Sequence, residues 1–166
     1  MTTAFTRHCG GCHMSPDHAM RQVCVLGDGC AALSLAARAD ELAGHRLTLV
    51  RPQGAPQETD HIWGFWDGPN LAAASRLARK RWHSWSIVTG RGKAVLRSQE
   101  RPYTALHRLD WTAHCRAAAS RAGVATLDGN EAATATDLVF DSRPPPVPDG
   151  MMLQHFLGLE VRSRRA

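Results

Sequence analysis

The sequence predicts an α/β fold with a parallel sheet, and three observations near the start of the chain support that prediction. Residues 22–26 form a short, mostly apolar run, which is typical of a buried strand. Gly27 and Gly29 follow, and glycines so close together indicate a tight turn. An alanine-rich run then predicts a helix over residues 30–43, and alternating apolar residues predict a second strand over 45–50. The three pieces therefore form one βαβ unit.

The glycine turn has the residue types of a phosphate-binding loop. A helix N-terminus has unpaired N–H groups and the positive end of the helix dipole, and both attract a pyrophosphate. Gly27 allows the sharp turn, Gly29 allows the close approach of a phosphate, and Ala32 replaces the third glycine of the dinucleotide fingerprint. The residues expected to bind the cofactor are those of the loop and first helical turn: Gly27, Asp28, Gly29, Cys30, Ala31 and Ala32.

The end of the second strand departs from the dinucleotide-binding pattern. An acidic residue that hydrogen-bonds the ribose usually stands at this position. Here the strand ends in Val50 followed by Arg51. Arg51 can bind a 2′-phosphate, which favours NADP, or its presence indicates that ribose binding is degraded. Both interpretations stay open from the residues alone.

The composition indicates one folded domain of ordinary size. The chain has 166 residues, of which 43% are hydrophobic and 21% are charged. The net charge of +5 is scattered over Arg residues, apart from clusters at 79–81 and 162–165, so we expect no nucleic-acid partner. No apolar run is long enough to cross a membrane, and residues 1–8 lack the apolar core of a signal peptide. We expect a cytoplasmic protein whose five cysteines are thiols.

Two segments are expected to differ in kind: a flexible polar tail over residues 1–19 and a nucleotide-binding domain over residues 20–166. The tail contains Cys9, Cys12 and His13 in the spacing of covalent haem attachment. That chemistry requires export to an oxidising compartment, so we interpret the spacing as chance. Metal ligands at regular spacing are also not evident, and we expect no metal site.

The rest of the domain predicts alternating helices, loops and strands. Asp110 is expected to cap its helix. The predicted elements are a loop over 52–70 with an aromatic segment, a helix over 71–81, a hairpin of strands 82–88 and 93–97, an extended piece at 103–106, a helix over 110–121, and strands over 124–127 and 137–140.

The order of these pieces resembles the N-terminal part of the bacterial lycopene β-cyclases, over about residues 20–161. The glycine loop resembles the opening nucleotide loop of that family. The other matching segments are Asp60-His61-Ile62-Trp63, Trp85, Tyr103-x-x-Leu106, Val139-Phe140-Asp141-Ser142-Arg143 and Gln154-His155-Phe156-Leu157-Gly158-Leu159-Glu160-Val161. The resemblance implies an FAD/NAD(P)-binding Rossmann-like three-layer domain with an inserted β-hairpin. Because the family's proteins are longer, it also implies a chain that is incomplete at the C-terminus and lacks the substrate-covering part.

The resemblance also implies an activity and its cofactors. Members of the family bind reduced FAD, with NADPH as the electron source, and cyclise the linear ends of lycopene to β-rings in an isomerase-type reaction. The expected partner is lycopene or a related carotenoid, with peripheral association at the inner membrane. Asp141 would contact the cofactor, and Glu160 is expected to be structural. The resemblance assigns no catalytic residue in this chain.

Two alternatives remain open from the sequence. One is a non-catalytic nucleotide-binding remnant, which keeps the βαβ unit without chemistry. The other is an FAD- or NAD(P)-dependent oxidoreductase, which Arg51 favours. We also expect apolar surface to be exposed on the sheet or around Trp63, Phe65 and Trp66.

Overall fold

The computed structural model describes residues 20–54, 59–132 and 135–144. The predicted tail over 1–19 and the segment over 154–161, with Glu160, lie outside the described residues. The helices and strands follow one another as β1 (Arg21–Leu26), α1 (Cys30–Ala36), β2 (His45–Arg51), β3 (Ile62–Trp66), α2 (Ala72–Arg76), β4 (Lys80–Trp82), β5 (Ser84–Thr89), β6 (Gly92–Arg97), β7 (Tyr103–His107), α3 (Arg108–Arg121), β8 (Ala125–Asp128) and β9 (Leu138–Asp141).

A four-stranded parallel sheet forms the centre of the molecule, with strand order β8-β2-β1-β9. Leu26 at the end of β1 lies beside Val50 of β2 and Asp141 of β9. Arg51 at the end of β2 lies beside Asp128 of β8. The carboxyl ends of all four strands therefore meet at one edge of the sheet, where open α/β sheets bind ligands.

The helices α1 and α3 cover one face of this sheet. Val23 and Val25 of β1 point to that face and pack with Leu33, which is fully buried, and Cys115 of α3. Cys24 and its alternating neighbours pack on the opposite face. Because the last four residues of β1, Val23 to Leu26, are buried on both faces, that part of the strand is an unbroken apolar run. Full burial of a leucine contributes about 1.5–3 kcal/mol to folding.

The prediction of a loop over residues 52–70 was wrong in part, because this segment contributes a strand to an antiparallel sheet. The expected loop contains β3, which pairs with β7 in a three-stranded sheet of order β3-β7-β4. Glycines and prolines on both sides concealed the strand. Gly64, inside β3, is required because a Cβ there would overlap the ring of Tyr103 on β7. The predicted hairpin is confirmed as β5 and β6, which form a separate two-stranded sheet.

Two predicted helices are shorter than expected. The helix expected over 30–43 ends at Ala36, and a 3-10 turn follows at Ala39–Glu41, where Arg38 bonds Glu41. The helix expected over 71–81 ends at Arg76, because Lys80–Trp82 pairs with β7 as a strand. Strand pairing at a distance overrides local helix propensity at this point.

The prediction that Asp110 caps its helix was wrong. The N-terminal residue of α3 is Arg108, and its N–H donates to the carbonyl of His61 at 2.9 Å. The next N–H, that of Leu109, donates to the carboxylate of Asp60 at 3.2 Å. Asp60 precedes β3, so the cap comes from 49 residues away in the chain. Asp110 instead pairs with Arg79 at 3.0 Å.

Apolar side chains are exposed in both expected places. On the parallel sheet, Val139 and Phe140 of β9 are about half exposed, at 51% and 52%. In the aromatic segment Trp66 is 49% exposed, whereas Trp63 and Phe65 are partly covered. Within the described ranges, no helix combines the length and the apolar character needed to span a membrane.

Candidate nucleotide-binding site

Gly27 begins the loop that connects β1 to α1, and no other residue fits its position. Its φ is +112°, which disfavours any side chain, and an added Cβ would overlap Oγ of Ser142. The Ser142 hydroxyl donates to the carbonyl of Leu26 at 2.8 Å, which fixes the ends of β1 and β9 together. The N–H of Gly27 donates to the carbonyl of Val50 at 2.8 Å. The predicted sharp turn is therefore held from both neighbouring strands.

Gly29 is the N-terminal capping residue of α1, and the space around it is open. Its φ of −74° suits any residue, and nothing lies within 4 Å of an added Cβ. Among the described residues no side chain caps the helix, and its first turn contains no acidic residue. The N–H groups of Cys30 and Ala31, both exposed residues, therefore have neither an intrahelical acceptor nor a side-chain cap. This arrangement fits a bound phosphate.

Behind the loop, α3 supports α1. Ala32 is 1% exposed and packs in the core, which is the close contact that the third fingerprint position requires. The indole N–H of Trp111 donates to Oγ of Ser34 at 3.2 Å. Arg116 of α3 lies 3.9 Å from the carboxylate of Asp28. Asp28 thus contacts the supporting helix with its side chain.

Arg51 is paired with an acidic residue from the neighbouring strand. Its Nε and Nη2 atoms each lie 2.8 Å from Oδ1 of Asp128. The hydrogen bond from Arg51 is the main reason that the pKa of Asp128 is lowered. An acidic residue therefore lies at the end of β8, directly beside the end of β2. Sequence reasoning missed Asp128, although an acid at the end of a predicted strand was a usable signal.

Asp141, at the end of β9, is held by Arg143. The guanidinium donates to both carboxylate oxygens, from Nε at 2.9 Å and from Nη2 at 2.7 Å. These bonds, with one from the Arg143 backbone N–H, lower the pKa of Asp141 to about 2. Nη1 of Arg143 also donates to the carbonyl of Asn130 at 3.0 Å. Asp141 is thus a fixed, ionised carboxylate beside the glycine loop.

The structure places all the sequence-predicted site residues at the carboxyl edge of the parallel sheet. The loop follows β1 between β2 and β9, and Arg51 and Asp141 end those two flanking strands. Asp128, Arg143 and Ser142 join them as residues that the prediction did not assign. The resulting site is a glycine loop with an open helix start, bordered by two carboxylates that are each paired with an arginine.

This edge belongs to an α/β fold of the Rossmann-like class. The sequence matches the family model described as lycopene cyclase protein over residues 22–166. The chain therefore belongs to the lycopene cyclase family. No protein with a curated description matches it in sequence.

Solved structures of one oxygenase show the same fold at low sequence identity. A mutant of 2-methyl-3-hydroxypyridine-5-carboxylic acid oxygenase matches with a TM-score of 0.54 at 14% identity, covering 72% of this chain and 38% of that chain. The tetrameric form of that oxygenase gives 0.52 at 15% identity with the same coverage. The structure of CtdE in complex with FAD and substrate 4 gives 0.48 at 18% identity, covering 65% and 30%. The predicted Rossmann-like α/β class is confirmed, and this chain spans well under half the length of the oxygenase.

Proposed function

We propose that this chain binds FAD at the carboxyl edge of its parallel sheet. The observation that carries the proposal is the glycine loop: Gly27 can be only glycine, and the first turn of α1 beyond Gly29 is open and uncapped. The first-turn N–H groups would hold the pyrophosphate. Membership of the lycopene cyclase family supports FAD as the nucleotide. We include Asp28, Cys30, Ala31 and Ala32 in the site as parts of this loop.

The pairing of Arg51 with Asp128 favours FAD over NADP at this edge. A 2′-phosphate beside Arg51 would also face the Asp128 carboxylate at the 2.8 Å contact, and like charges repel. A ribose hydroxyl, in contrast, can donate to that carboxylate. Asp128 thus takes the part usually played by an acid at the end of β2. NADPH enters the proposal only as a source of electrons for the flavin.

The proposed reaction is the cyclisation of the ends of lycopene, or of a related carotenoid, to β-rings. Reduced FAD, when bound, stabilises the cationic charge that develops in this redox-neutral isomerisation. In the described residues, Asp141 is the ionised carboxylate that the resemblance places beside the cofactor. Because the substrate is a hydrocarbon, we also propose peripheral association with the cytoplasmic side of the inner membrane. The chain would contribute the nucleotide-binding domain, residues 20–166.

The decisive experiment compares two glycine variants for FAD binding. Gly29→Val should fold normally, since its side chain enters open space, yet it should abolish FAD binding by filling the phosphate position. Gly68→Val is the matched control, because Gly68 is equally open but lies away from the loop. Binding is measured by quenching of flavin fluorescence, and folding by circular dichroism. Wild-type protein that does not bind FAD, or Gly29→Val protein that binds as well as wild type, contradicts the proposal.

A second experiment tests the role of Asp128. Asp128→Asn should weaken FAD binding about tenfold or more, because a hydrogen bond to a charged acceptor is lost. Glu41→Gln is the control, since it removes a carboxylate from another exposed arginine pair. The double variant Arg51→Glu/Asp128→Asn moves the acid to the end of β2 and should restore binding. Unchanged affinity in Asp128→Asn would assign the ribose contact elsewhere while leaving the FAD site intact.

Product analysis separates the proposed cyclisation from the alternatives. The flavin-loaded protein with lycopene and a chemical reductant for the flavin should yield β-rings, seen by chromatography. Oxidation of NADPH without carotenoid product would favour an FAD-dependent oxidoreductase. Bound flavin without either reaction would indicate a non-catalytic nucleotide-binding module.

A further inference from the structure

One segment of the chain has basic residues and no acidic ones, so it has a large net positive charge. Residues 68–99 contain seven of the 20 Lys and Arg residues and none of the 15 Asp and Glu residues. The rest of the chain is therefore slightly acidic, and the net charge of +5 comes entirely from this segment. The basic residues are Arg76, Arg79, Lys80, Arg81, Arg91, Lys93 and Arg97. Such a concentration creates a local positive potential.

The cations nearest the body of the protein are partly neutralised, and those of the hairpin are not. Arg79 pairs with Asp110 at 3.0 Å, and Arg81 lies 3.7 Å from Asp67. Arg91, Lys93 and Arg97 of the β5–β6 hairpin are exposed and make no ion pair with any described residue. Their charge is available to a partner.

The same hairpin exposes apolar side chains on both of its faces. The pairs Trp85–Leu96 and Ile87–Ala94 lie on one face. Val88 lies on the other, opposite Lys93. Their exposed fractions are high: Ile87 53%, Val88 71%, Val95 55% and Leu96 42%. Exposed apolar side chains beside unpaired cations are typical of protein segments that bind at a lipid–water interface.

The hairpin has little support from the rest of the fold. Its two strands pair with no other strand of the part of the chain that the structure describes. The ring of Trp85 packs at a tilt of 51° against that of Trp66 of β3, with ring centroids 4.4 Å apart. Trp85 is the only partly covered residue of the two strands. A two-stranded sheet exposed on both faces is marginal in water. A partner that covers it would stabilise it.

We propose that the β5–β6 hairpin docks on an anionic lipid surface through the face that carries Val88, Val95 and Lys93, with the two valines entering the headgroup region and Arg91 and Lys93 contacting lipid phosphates. The inference rests on the peripheral membrane association proposed above and assigns it to a particular surface. Charge complementarity favours lipid over a second copy of this chain, because two basic hairpins repel each other. Exposed aliphatic side chains favour lipid over nucleic acid, where most contacts are made to phosphate and sugar oxygens.

Vesicle binding tests the proposal. Wild-type protein should co-sediment with vesicles of phosphatidylcholine and phosphatidylglycerol, should not co-sediment with phosphatidylcholine alone, and should be released by salt. Arg91→Glu/Lys93→Glu should lower the partition coefficient at least tenfold, since it reverses two charges at the surface. Arg46→Glu/Arg121→Glu, which makes the same charge change at exposed positions outside the segment, should bind like wild type. Val88→Asn should also weaken binding, and FAD affinity should be unchanged in every variant.

The outcomes separate the claims. If wild-type protein does not bind anionic vesicles, both the membrane association and the hairpin assignment are wrong. FAD binding is tested separately by the glycine variants. Vesicle binding that is equal in the hairpin and control variants overturns the hairpin assignment alone. A wild-type dimer that the hairpin variants convert to a monomer, seen by light scattering, identifies a second copy as the occupant and also overturns it.

Discussion

The parallel sheet and the β5–β6 hairpin contain the same kinds of apolar residue, but the sheet buries them and the hairpin exposes them. In β1, Val25 is 1% exposed, because helices and neighbouring strands cover it. In β5, Val88 is 71% exposed. An apolar strand is thus part of the core only where the apolar side chains of other helices or strands pack against it. The first region carries the stability of the fold, and the second carries surface that is available for contact.

The largest predicted contrast between the two regions is in stability. Leu33→Ala should lower the free energy of unfolding by about 2–5 kcal/mol, because it leaves a cavity between α1 and the sheet. Val88→Ala should change it by less than about 0.5 kcal/mol, as for other exposed positions. Urea unfolding followed by circular dichroism measures both. Comparable losses of unfolding free energy in the two variants would show that Val88 is packed in solution, and the predicted difference between sheet and hairpin would then be wrong.

A smaller effect is expected at Asp60, which connects the antiparallel sheet to α3. The N–H of Leu109, and secondarily His107, lower the pKa of Asp60. The ionised carboxylate therefore stabilises the fold above the unfolded-state pKa of about 3.9, and this stabilisation is lost as the pH falls through the lower folded-state pKa. Asp60→Ala should destabilise the protein at pH 7, and the difference from wild type should shrink on acidification.

Asp110→Ala is the control for this prediction. Asp110 lies in the first turn of α3, which Asp60 caps, but its carboxylate pairs with Arg79 and accepts no backbone N–H group in the described contacts. Asp110→Ala should cost less stability than Asp60→Ala at neutral pH, in the same urea unfolding assay. Equal losses, or a difference from wild type that persists at low pH, would mean that the carboxylate of Asp60 does not act as the cap.

Local pattern was sufficient to predict the parallel sheet. Strands buried on both faces are continuous apolar runs, and the glycines of a phosphate loop stand at fixed spacing, so β1, β2 and the loop were found within a few residues. The hairpin was found because Gly90 and Gly92 mark its turn. These features are determined by residues close together in the chain.

The errors arose where a partner distant in sequence decides the structure. The cap of α3 comes from Asp60, β4 exists because β7 pairs with it, and Arg51 takes its role from Asp128, 77 residues away. Arg51 alone suggested a 2′-phosphate or degraded ribose binding, and its pairing with Asp128 is what led us to propose FAD instead. A single sequence contains no direct signal of such pairings.

The contact between Asp60 and α3 also determines where the chain can be divided. The same helix that Asp60 caps supports the nucleotide loop through Trp111 and Ser34. Both the antiparallel sheet and the nucleotide loop therefore contact α3. We expect the two parts to fold as one unit, with no domain boundary between them. A segment designed to carry the nucleotide loop alone would need residues from Asp60 onward, however far they lie from the loop in sequence.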